Sequence, residues 1–381
     1  MPWSKFDIEM MAKAIKLARK GLYTTRPNPS VGCVITLADK VIGEGYHITA
    51  GGPHAEVHAL KMAGELAQGA TAYVTLEPCS HYGRTPPCAE ALIKANVARV
   101  VVAVTDPNPQ VSGRGIQMLQ GAGIQVDVNL LKEEAAQLNL GFMKRMSTGL
   151  PWVSIKLAAS IDGKTALSNG VSKWITGAEA RRDVQRMRAR HCAVITGVDT
   201  VLADDPSMNV RYHELGFVAN NLPPELLKQP LRIVLDSRAR LTGNANIFTI
   251  ESPILLVSCE PYSAQTQAAW PSHVSHLQLD AVDGRVPLKE LLSLLGKGHL
   301  GKEYNSVMIE AGATLAGAFM AEHLADELVL YQAPKILGSH GRNLIHLPDY
   351  TEMAQLPTLA LMDQRKIGSD TRFTFNLAPI I

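Results

Sequence analysis

The 381-residue sequence has no apolar run long enough to cross a bilayer. Its longest, such as Val100 to Val104, fall far short of the roughly 20 residues a spanning helix needs. The N-terminal stretch MPWSKFDIEMMAKAIKLARKG also lacks a signal-peptide core, because charges are scattered through its apolar positions. Basic excess is missing as well: 37 Lys and Arg stand against 35 Asp and Glu, a formal net charge of +2. Nucleic-acid binders draw most of their affinity from neutralising phosphates, so this balance argues against such a partner. Cysteine is scarce and odd in number, five in all, which leaves thiols for the core or for a metal rather than for a disulfide framework. There is no low-complexity tract and no tandem repeat. These absences predict a cytoplasmic protein with neither membrane nor nucleic-acid partner.

What is present fits two domains of ordinary size, since 381 residues exceed one. In the first half Ile8, Met11, Ile15 and Ala18 lie at helical spacing, with Gly21 as a stop. A strand over Val31 to Leu37, a helix after Pro53 and a strand over Ala72 to Leu76 follow. A helix opening at the Pro-Pro pair before Cys88, a strand over Arg99 to Val104, a helix over Ile116 to Gln120 and a strand over Ile124 to Val128 complete an alternating α/β unit. One helix is expected over Lys132 to Met146. The pattern breaks near MSTGLP, which sets the boundary between domains at 1–148 and 149–381. The second half predicts strands near 152–160, 192–197, 231–237, 254–258, 305–310, 327–333 and 373–378. Thr176 and Glu179 predict a capping box, and Tyr212 to Pro230 has no clear period.

Three segments of the first half carry metal chemistry: His54-Ala55-Glu56, Glu77-Pro78-Cys79 and Cys88. Zinc favours imidazole and thiolate ligands, and a catalytic zinc keeps a fourth position for water, so His54, Cys79 and Cys88 are the candidate ligands. Both cysteines follow prolines at expected helix entrances, where the helix dipole favours the thiolate. Glu56, two residues past the histidine, fits a general acid/base that carries protons to a departing amine. The pattern is that of nucleobase deaminases, although eight residues rather than two separate the cysteines here. A structural zinc with His58 or His81 as a fourth ligand, and buried thiols with no metal at all, are the plainer readings.

The runs PNPSVGCVI, GGPHAE and TLEPCSHYGRTPPC closely resemble the bifunctional riboflavin-biosynthesis deaminase/reductase family of bacteria, and the resemblance extends over nearly the whole chain. It implies a cytidine-deaminase-like α/β/α domain followed by a dihydrofolate-reductase-like α/β domain. The implied reactions are zinc-dependent deamination of 2,5-diamino-6-(5-phosphoribosylamino)pyrimidin-4-one, then NADPH-dependent reduction of the ribosyl to the ribityl side chain. By matching position, His54, Cys79 and Cys88 look like the zinc ligands and Glu56 like the proton shuttle. Asn28, His47, His81 and Arg84 resemble residues lining the deaminase pocket, Arg84 suiting the phosphate. The plainer readings are turn chemistry for Asn28, a surface histidine for His47 and a solvated charge for Arg84.

In the second half no G-x-G-x-x-G fingerprint exists, and the residues alone offer only a strand running into Gly312 and a helix, where free amides attract phosphate. Gly312 and Gly317 serve helix–sheet packing on the plainer reading. KLAASIDGKTA, SKWIT, TGVDTVLADDPSMNVR, LDSR and EAGATLAGAF are similar to the family's reductase domain. The resemblance makes Ala158, Trp174, Thr200, Asp204, Ser237 and the loop Gly312, Ala313, Thr314, Leu315, Ala316, Gly317 and Ala318 cofactor contacts. It makes Ser172, Arg188, Met208, Arg211 and Glu310 substrate contacts; the family often carries leucine at the Met208 position. Arg188 and Arg211 are suited to clamp the substrate phosphate, while Arg182, Arg186 and Arg190 form a solvated stripe. The family also implies small pyrimidine-nucleotide substrates and a homo-oligomer. Two rivals stand beside this reading: an RNA base deaminase with an appended domain, and a non-catalytic zinc-stabilised scaffold.

Overall fold

The computed structural model describes residues 3–82, 86–108 and 111–377. The chain divides into two compact units, Met1–Leu150 and Pro151–Ile381.

In the first unit helix α1 (Lys5–Ala18) begins at a capping box: Ser4 Oγ accepts from the Asp7 amide while Asp7 reaches back to the Ser4 amide. Strands β1 (Gly32–Leu37), β2 (Lys40–Tyr46), β3 (Thr71–Val74), β4 (Arg99–Val102) and β5 (Gln125–Val128) form one sheet, in the order β2-β1-β3-β4-β5. β1 is antiparallel to both its neighbours; β3, β4 and β5 run parallel. Helices α2 (Ala55–Ala63), α3 (Cys88–Lys94), α4 (Arg114–Gly121), α5 (Lys132–Ala136) and α6 (Leu140–Thr148) complete the unit. The inner strands β1, β3 and β4 are buried on both faces and alternate, while the edge strands β2 and β5 are partly exposed. Cys33, Ile35, Ala72, Val74, Val100 and Val102 pack with Ala55, Ala59, Ala89, Leu92 and Leu119. Val34, Tyr73 and Val101 pack on the other side with Met11, Ile15, Leu130 and Ala135.

The single helix expected over Lys132 to Met146 is two helices. Asn139 interrupts it, because its side-chain amide closes on the Ser30 backbone, accepting from the amide at 2.8 Å and donating to the carbonyl at 2.9 Å. Strand β2 went unpredicted because Gly43 and Gly45 weaken its pattern, and the same glycines let α2 lie directly on it. A Cβ at Gly45 would stand 2.2 Å from the Ala55 carbonyl oxygen.

Asp7 is a buried anchor for this unit, bonded by Arg99 at 2.7 Å and by the Tyr73 hydroxyl at 2.8 Å. Burial pushes its carboxyl up, but the bonds from Arg99, Ser4 and Tyr73 outweigh it and hold the group at about 2. A depressed carboxylate contributes stability that is complete above its unfolded value near 4 and is lost as pH falls toward 2. Asp7→Asn should therefore cost about 1–3 kcal/mol at neutral pH, and the gap from the parent protein should close between about pH 4 and 2. Thermal melts of both proteins across that range check it; a gap that persists at pH 2 would assign the loss to packing.

The second unit is built on strands β6 (Trp152–Ser160), β7 (Lys164–Ala166), β8 (Ala193–Gly197), β9 (Leu231–Leu235), β10 (Ile254–Ser258), β11 (Val274–Gln278), β12 (Ser306–Ile309), β13 (Glu327–Ala333), β14 (Arg342–Asn343), β15 (Ala360–Ile367) and β16 (Asp370–Asn376). Nine of them form a sheet in the order β11-β10-β9-β8-β12-β6-β13-β16-β15, parallel from β11 to β13 and antiparallel at β16 and β15. β7 and β14 pair separately. Helices α7 (Ala178–Arg190), α8 (Val198–Asp204), α9 (Ala264–Ala268), α10 (Leu288–Gly296) and α11 (Ala313–Ala321) join them.

Two sequence expectations fail here. The capping box at Thr176 and Glu179 does not form: Gly177 is the N-cap of α7, its amide held by Asp370 at 2.7 Å, and Glu179 pairs with Arg182 instead. The arginine stripe is not uniformly solvated either, since Arg186 is drawn in by Asp183 at 2.8 Å and lies over the Phe217 ring. Tyr212 to Pro230 contains three short 3-10 turns.

Candidate metal centre and reductase cleft

In the first unit α2 and α3 bring the metal-ligand candidates together. His54 is the N-cap of α2 and Cys88 the first residue of α3, while Cys79 lies on the loop that follows β3 and not at the helix entrance expected for it, because among the described residues no helix follows Pro78 before α3. The three donor atoms all lie within 4.8 Å of one another, with His54 Nδ1 at 3.2 Å from Cys88 Sγ and 3.7 Å from Cys79 Sγ. A tetrahedral zinc with ordinary Zn–N and Zn–S lengths needs donors roughly 3.5–3.8 Å apart, so the donor set fits that ion. The Cys88 amide, at the positive end of α3, donates to Cys79 Sγ at 3.2 Å. Hydrogen bonds from Cys88 pull the Cys79 thiol down, while its bond to Cys79 and its burial push Cys88 up, so the arrangement favours the Cys79 thiolate as a metal ligand. Neither His58 nor His81 joins the cluster among the described residues, which leaves three protein ligands and an open position.

Glu56 lies in the first turn of α2, buried against these ligands. Burial pushes its carboxyl up to about 6, against the lowering pull of His54. His47 is buried rather than on the surface: its ring stands edge-on to His54 at 5.4 Å, and its Nδ1 lies 3.1 Å from the Pro53 carbonyl oxygen. Asn28 is half-buried, its own amide closing a turn on Thr25 at 2.7 Å. His81 is exposed on the Cys79 loop. Arg84 lies outside the described residues.

Two residues were given no role by the sequence reading, although Glu77 stood in the segment that carries Cys79. The buried Glu77 carboxylate accepts from the amides of Asp106 (3.2 Å), Gly113 (3.0 Å), Gly115 (2.9 Å) and Ile116 (3.3 Å). It thereby caps α4 and pins the loop that carries Cys79. Asp106 is also buried, and burial with the nearby Glu77 and Cys79 raises its carboxyl to about 6 while His81 lowers it. The only sequence signal for either was an acid beside a proline.

The second unit holds a cleft of about 2480 Å³ across the C-terminal ends of β6, β8, β9 and β12, where parallel sheets bind ligands. Ordinary ligand pockets measure roughly 300–1,000 Å³, so this one has room for a dinucleotide and a second nucleotide together. Its lining includes Ala158, Trp174, Thr200, Asp204, Ser237, Gly312, Ala313, Thr314, Leu315 and Ala318. Ser172, Arg188, Met208, Arg211 and Glu310 line it too. Ala316 and Gly317 do not. They sit on the far side of α11, Ala316 fully buried and Gly317 pressed so close to the chain at His346 that a Cβ would meet its carbonyl at 1.7 Å. Gly312 is the N-cap of α11 and faces the cleft with open space around its Cα.

The expected Arg188–Arg211 phosphate clamp is not preformed. Arg188 grips Glu310 with two bonds, 2.8 and 2.9 Å, and Lys156 approaches the same carboxylate at 3.3 Å. Burial opposes ionisation of Glu310, but the two cations hold its carboxyl well below the usual range. Arg211 is paired with Glu214 at 2.6 and 3.0 Å. Trp174, 62% exposed, carries the Arg181 guanidinium 4.3 Å above its ring.

Fold and site together define the class: a cytidine-deaminase-like zinc unit joined to a parallel-sheet reductase unit. Residues 4–104 match the family of the cytidine and deoxycytidylate deaminase zinc-binding region, and residues 151–373 match the RibD C-terminal domain. Riboflavin biosynthesis protein RibD of Escherichia coli is 51% identical over 96% of this chain and 97% of its own, and that of Haemophilus influenzae 47% identical over 98% of each. Among solved structures, Acinetobacter baumannii RibD is 48% identical with a TM-score of 0.89 over 98% of this chain and 99% of that one. A Thermotoga maritima diaminohydroxyphosphoribosylaminopyrimidine deaminase/5-amino-6-(5-phosphoribosylamino)uracil reductase, 30% identical, superposes with a TM-score of 0.84 over 98% and 99%. The chain belongs to the RibD family of bifunctional riboflavin-biosynthesis enzymes, zinc-dependent as a deaminase and NADPH-dependent as a reductase.

Proposed function

We propose that the unit holding residues 1–148 hydrolyses the amino group of 2,5-diamino-6-(5-phosphoribosylamino)pyrimidin-4-one. The unit from 149 onward then reduces the ribosyl chain of the resulting uracil. The observation that carries this reading is the closure of His54, Cys79 and Cys88 around the buried Glu56, with no fourth protein ligand among the described residues. Zinc in that position supplies the Lewis acidity that makes water a nucleophile near neutral pH. Glu56 takes the proton from the attacking water and passes it to the departing amine. His47 braces the His54 ring, Asn28 and His81 line the pyrimidine-nucleotide pocket, and Arg84 has the charge to suit the phosphate.

A nicotinamide cofactor bound in the cleft would supply the hydride, and the chain's task is to orient cofactor and substrate. The α11 start from Gly312 to Leu315 would hold the cofactor's pyrophosphate on its free amides, and Ala158, Trp174, Thr200, Asp204, Ser237 and Ala318 would contact the rest of it. Ala316 and Gly317 support that loop from behind. Ser172 and Met208 wall the substrate, and Arg188 with Lys156 fixes the Glu310 carboxylate toward it. The substrate phosphate goes to Arg211. Its pair with Glu214 is partly exposed, so exchanging one anion for another costs about 0–1 kcal/mol, whereas Arg188 is buried and committed.

A cytoplasmic location is consistent with five unpaired cysteines and with the absence, among the described residues, of any helix long and apolar enough to cross a membrane. A homo-oligomer would cover the edge strand β15, which exposes Leu361 and Met362. Ammonia release from the free pyrimidine nucleotide, set beside release from an RNA oligonucleotide, tests the reading. Release from the nucleotide alone is expected. Release from RNA alone would make the chain a base deaminase, and release from neither would leave a zinc scaffold.

A further inference from the structure

Residues 207–211 border the cleft through Ser207, Met208 and Arg211, yet they belong to no helix or strand. Backbone amides and carbonyls taken out of water need partners, and here side chains from elsewhere supply them. Two come from one face of α7, three residues apart. Arg188 Nη1 donates to the Asn209 carbonyl at 2.9 Å, and Gln185 Oε1 accepts from the Arg211 amide at 2.9 Å. Between these contacts Gln229 pairs with Val210 in both directions. Its Oε1 accepts from the Val210 amide at 2.8 Å, and its Nε2 donates to the Val210 carbonyl at 2.9 Å. One side chain thus supplies the two-way exchange that a neighbouring antiparallel strand would offer.

Gln185 is only 1% exposed, and burying an amide side chain costs free energy unless it is hydrogen-bonded. Its bond to the Arg211 amide meets that cost. Arg211 itself is divided between a fixed and an exchangeable half. Its backbone is held on both sides, the amide by Gln185 and the carbonyl by the Glu214 amide at 3.0 Å. Its side chain is 36% exposed and paired with the Glu214 carboxylate. An anion entering the cleft can therefore take the guanidinium while the chain that carries it stays in place.

We propose that Gln185 and Gln229 are positioning residues for the substrate phosphate: they fix the backbone at Val210 and Arg211, and so aim the Arg211 guanidinium, without touching the substrate. The proposal rests on the reading that the phosphate goes to Arg211. A loosely held backbone would leave the guanidinium to be ordered at the moment of binding, and that ordering lowers affinity.

Calorimetric titration of the full-length protein with the deaminated nucleotide, and with its phosphate-free riboside, separates aiming from general support. Gln185→Met keeps the length of the side chain and removes the acceptor. Gln229→Leu does the same on a half-buried loop, which carries the test if the first variant does not fold. Each should weaken the nucleotide about 3- to 10-fold, the worth of an ordinary hydrogen bond, and leave the riboside within about twofold. In turnover KM for the nucleotide should rise with kcat within about twofold, because ground state and transition state lose the same binding. In an Arg211→Ala background neither change should weaken the nucleotide further, since no guanidinium is left to aim. Equal losses for nucleotide and riboside, losses undiminished in the absence of Arg211, or no loss in either variant overturns the proposal. Arg211→Ala alone is the control for the underlying reading, and should weaken the nucleotide at least about tenfold while sparing the riboside. If it leaves both unchanged, the phosphate lies elsewhere, and the proposal falls with that reading rather than on its own.

Discussion

Glu56→Gln is expected to keep zinc and to lose deamination by about 10²–10⁴-fold, the usual worth of a positioned acid/base. The amide is isosteric, so α2 and the His54 N-cap should be undisturbed. It can neither accept the proton of the attacking water nor hand one to the amine. Burial sharpens the expectation: Glu56 is only 3% exposed, so bulk solvent cannot stand in for it as a proton carrier. Metal content and ammonia release on the purified variant are the two measurements. Near-normal turnover with zinc bound would remove Glu56 from the chemistry. Loss of both zinc and turnover would mean that the carboxylate supports the site electrostatically, by balancing the cation and His54.

The same site shows how much of the protein was legible beforehand. His54, Cys79 and Cys88 could be grouped from residue type and spacing, because two thiols and an imidazole so placed have few other uses in one chain, although the helix entrance expected for Cys79 is a loop. Their arrangement around Glu56 was also implied by spacing, since two residues separate N-cap from first turn. Glu77 was invisible as an anchor because its four partners come from 29 to 39 residues downstream. No periodicity encodes a carboxylate that caps a helix so far along the chain.

Strand prediction followed the same division. Buried strands such as β4 and β8 announce themselves as apolar runs. β11 (VSHLQ) and β15 (ALMDQRKI) are half or fully exposed edge strands, and nothing in their composition separates them from loop. In the reductase cleft the reading failed at charge pairing rather than at location. Arg188, Arg211 and Glu310 were expected together, but sequence does not say which anion each guanidinium already holds. The fully buried Arg232 makes the point most sharply. It bonds the carbonyls of Ser207, Ile247, Ile250 and Ser252, organising the loop that carries Met208, and no pattern in LRIVL distinguishes it from a solvated arginine.

Stripping zinc should silence one activity and spare the other. All three metal-ligand candidates and Glu56 lie within the unit that ends at Leu150, and every residue lining the cleft lies beyond Pro151. Each unit has its own sheet, and no strand is shared between the two sheets. The cofactor's chemistry needs no metal, because hydride donor and acceptor are both organic. Incubating the full-length enzyme with a chelator should therefore abolish ammonia release while reduction of supplied deaminated nucleotide continues at close to its starting rate. Zinc binding contributes folding free energy, so the first unit should lose some stability when the ion leaves. Circular dichroism after stripping separates that effect from a true catalytic dependence. Deamination should return when zinc is restored, with no change in reduction. If reduction also stops while the protein remains folded, then the two sites are coupled through the metal and the assignment of one reaction to each unit is wrong.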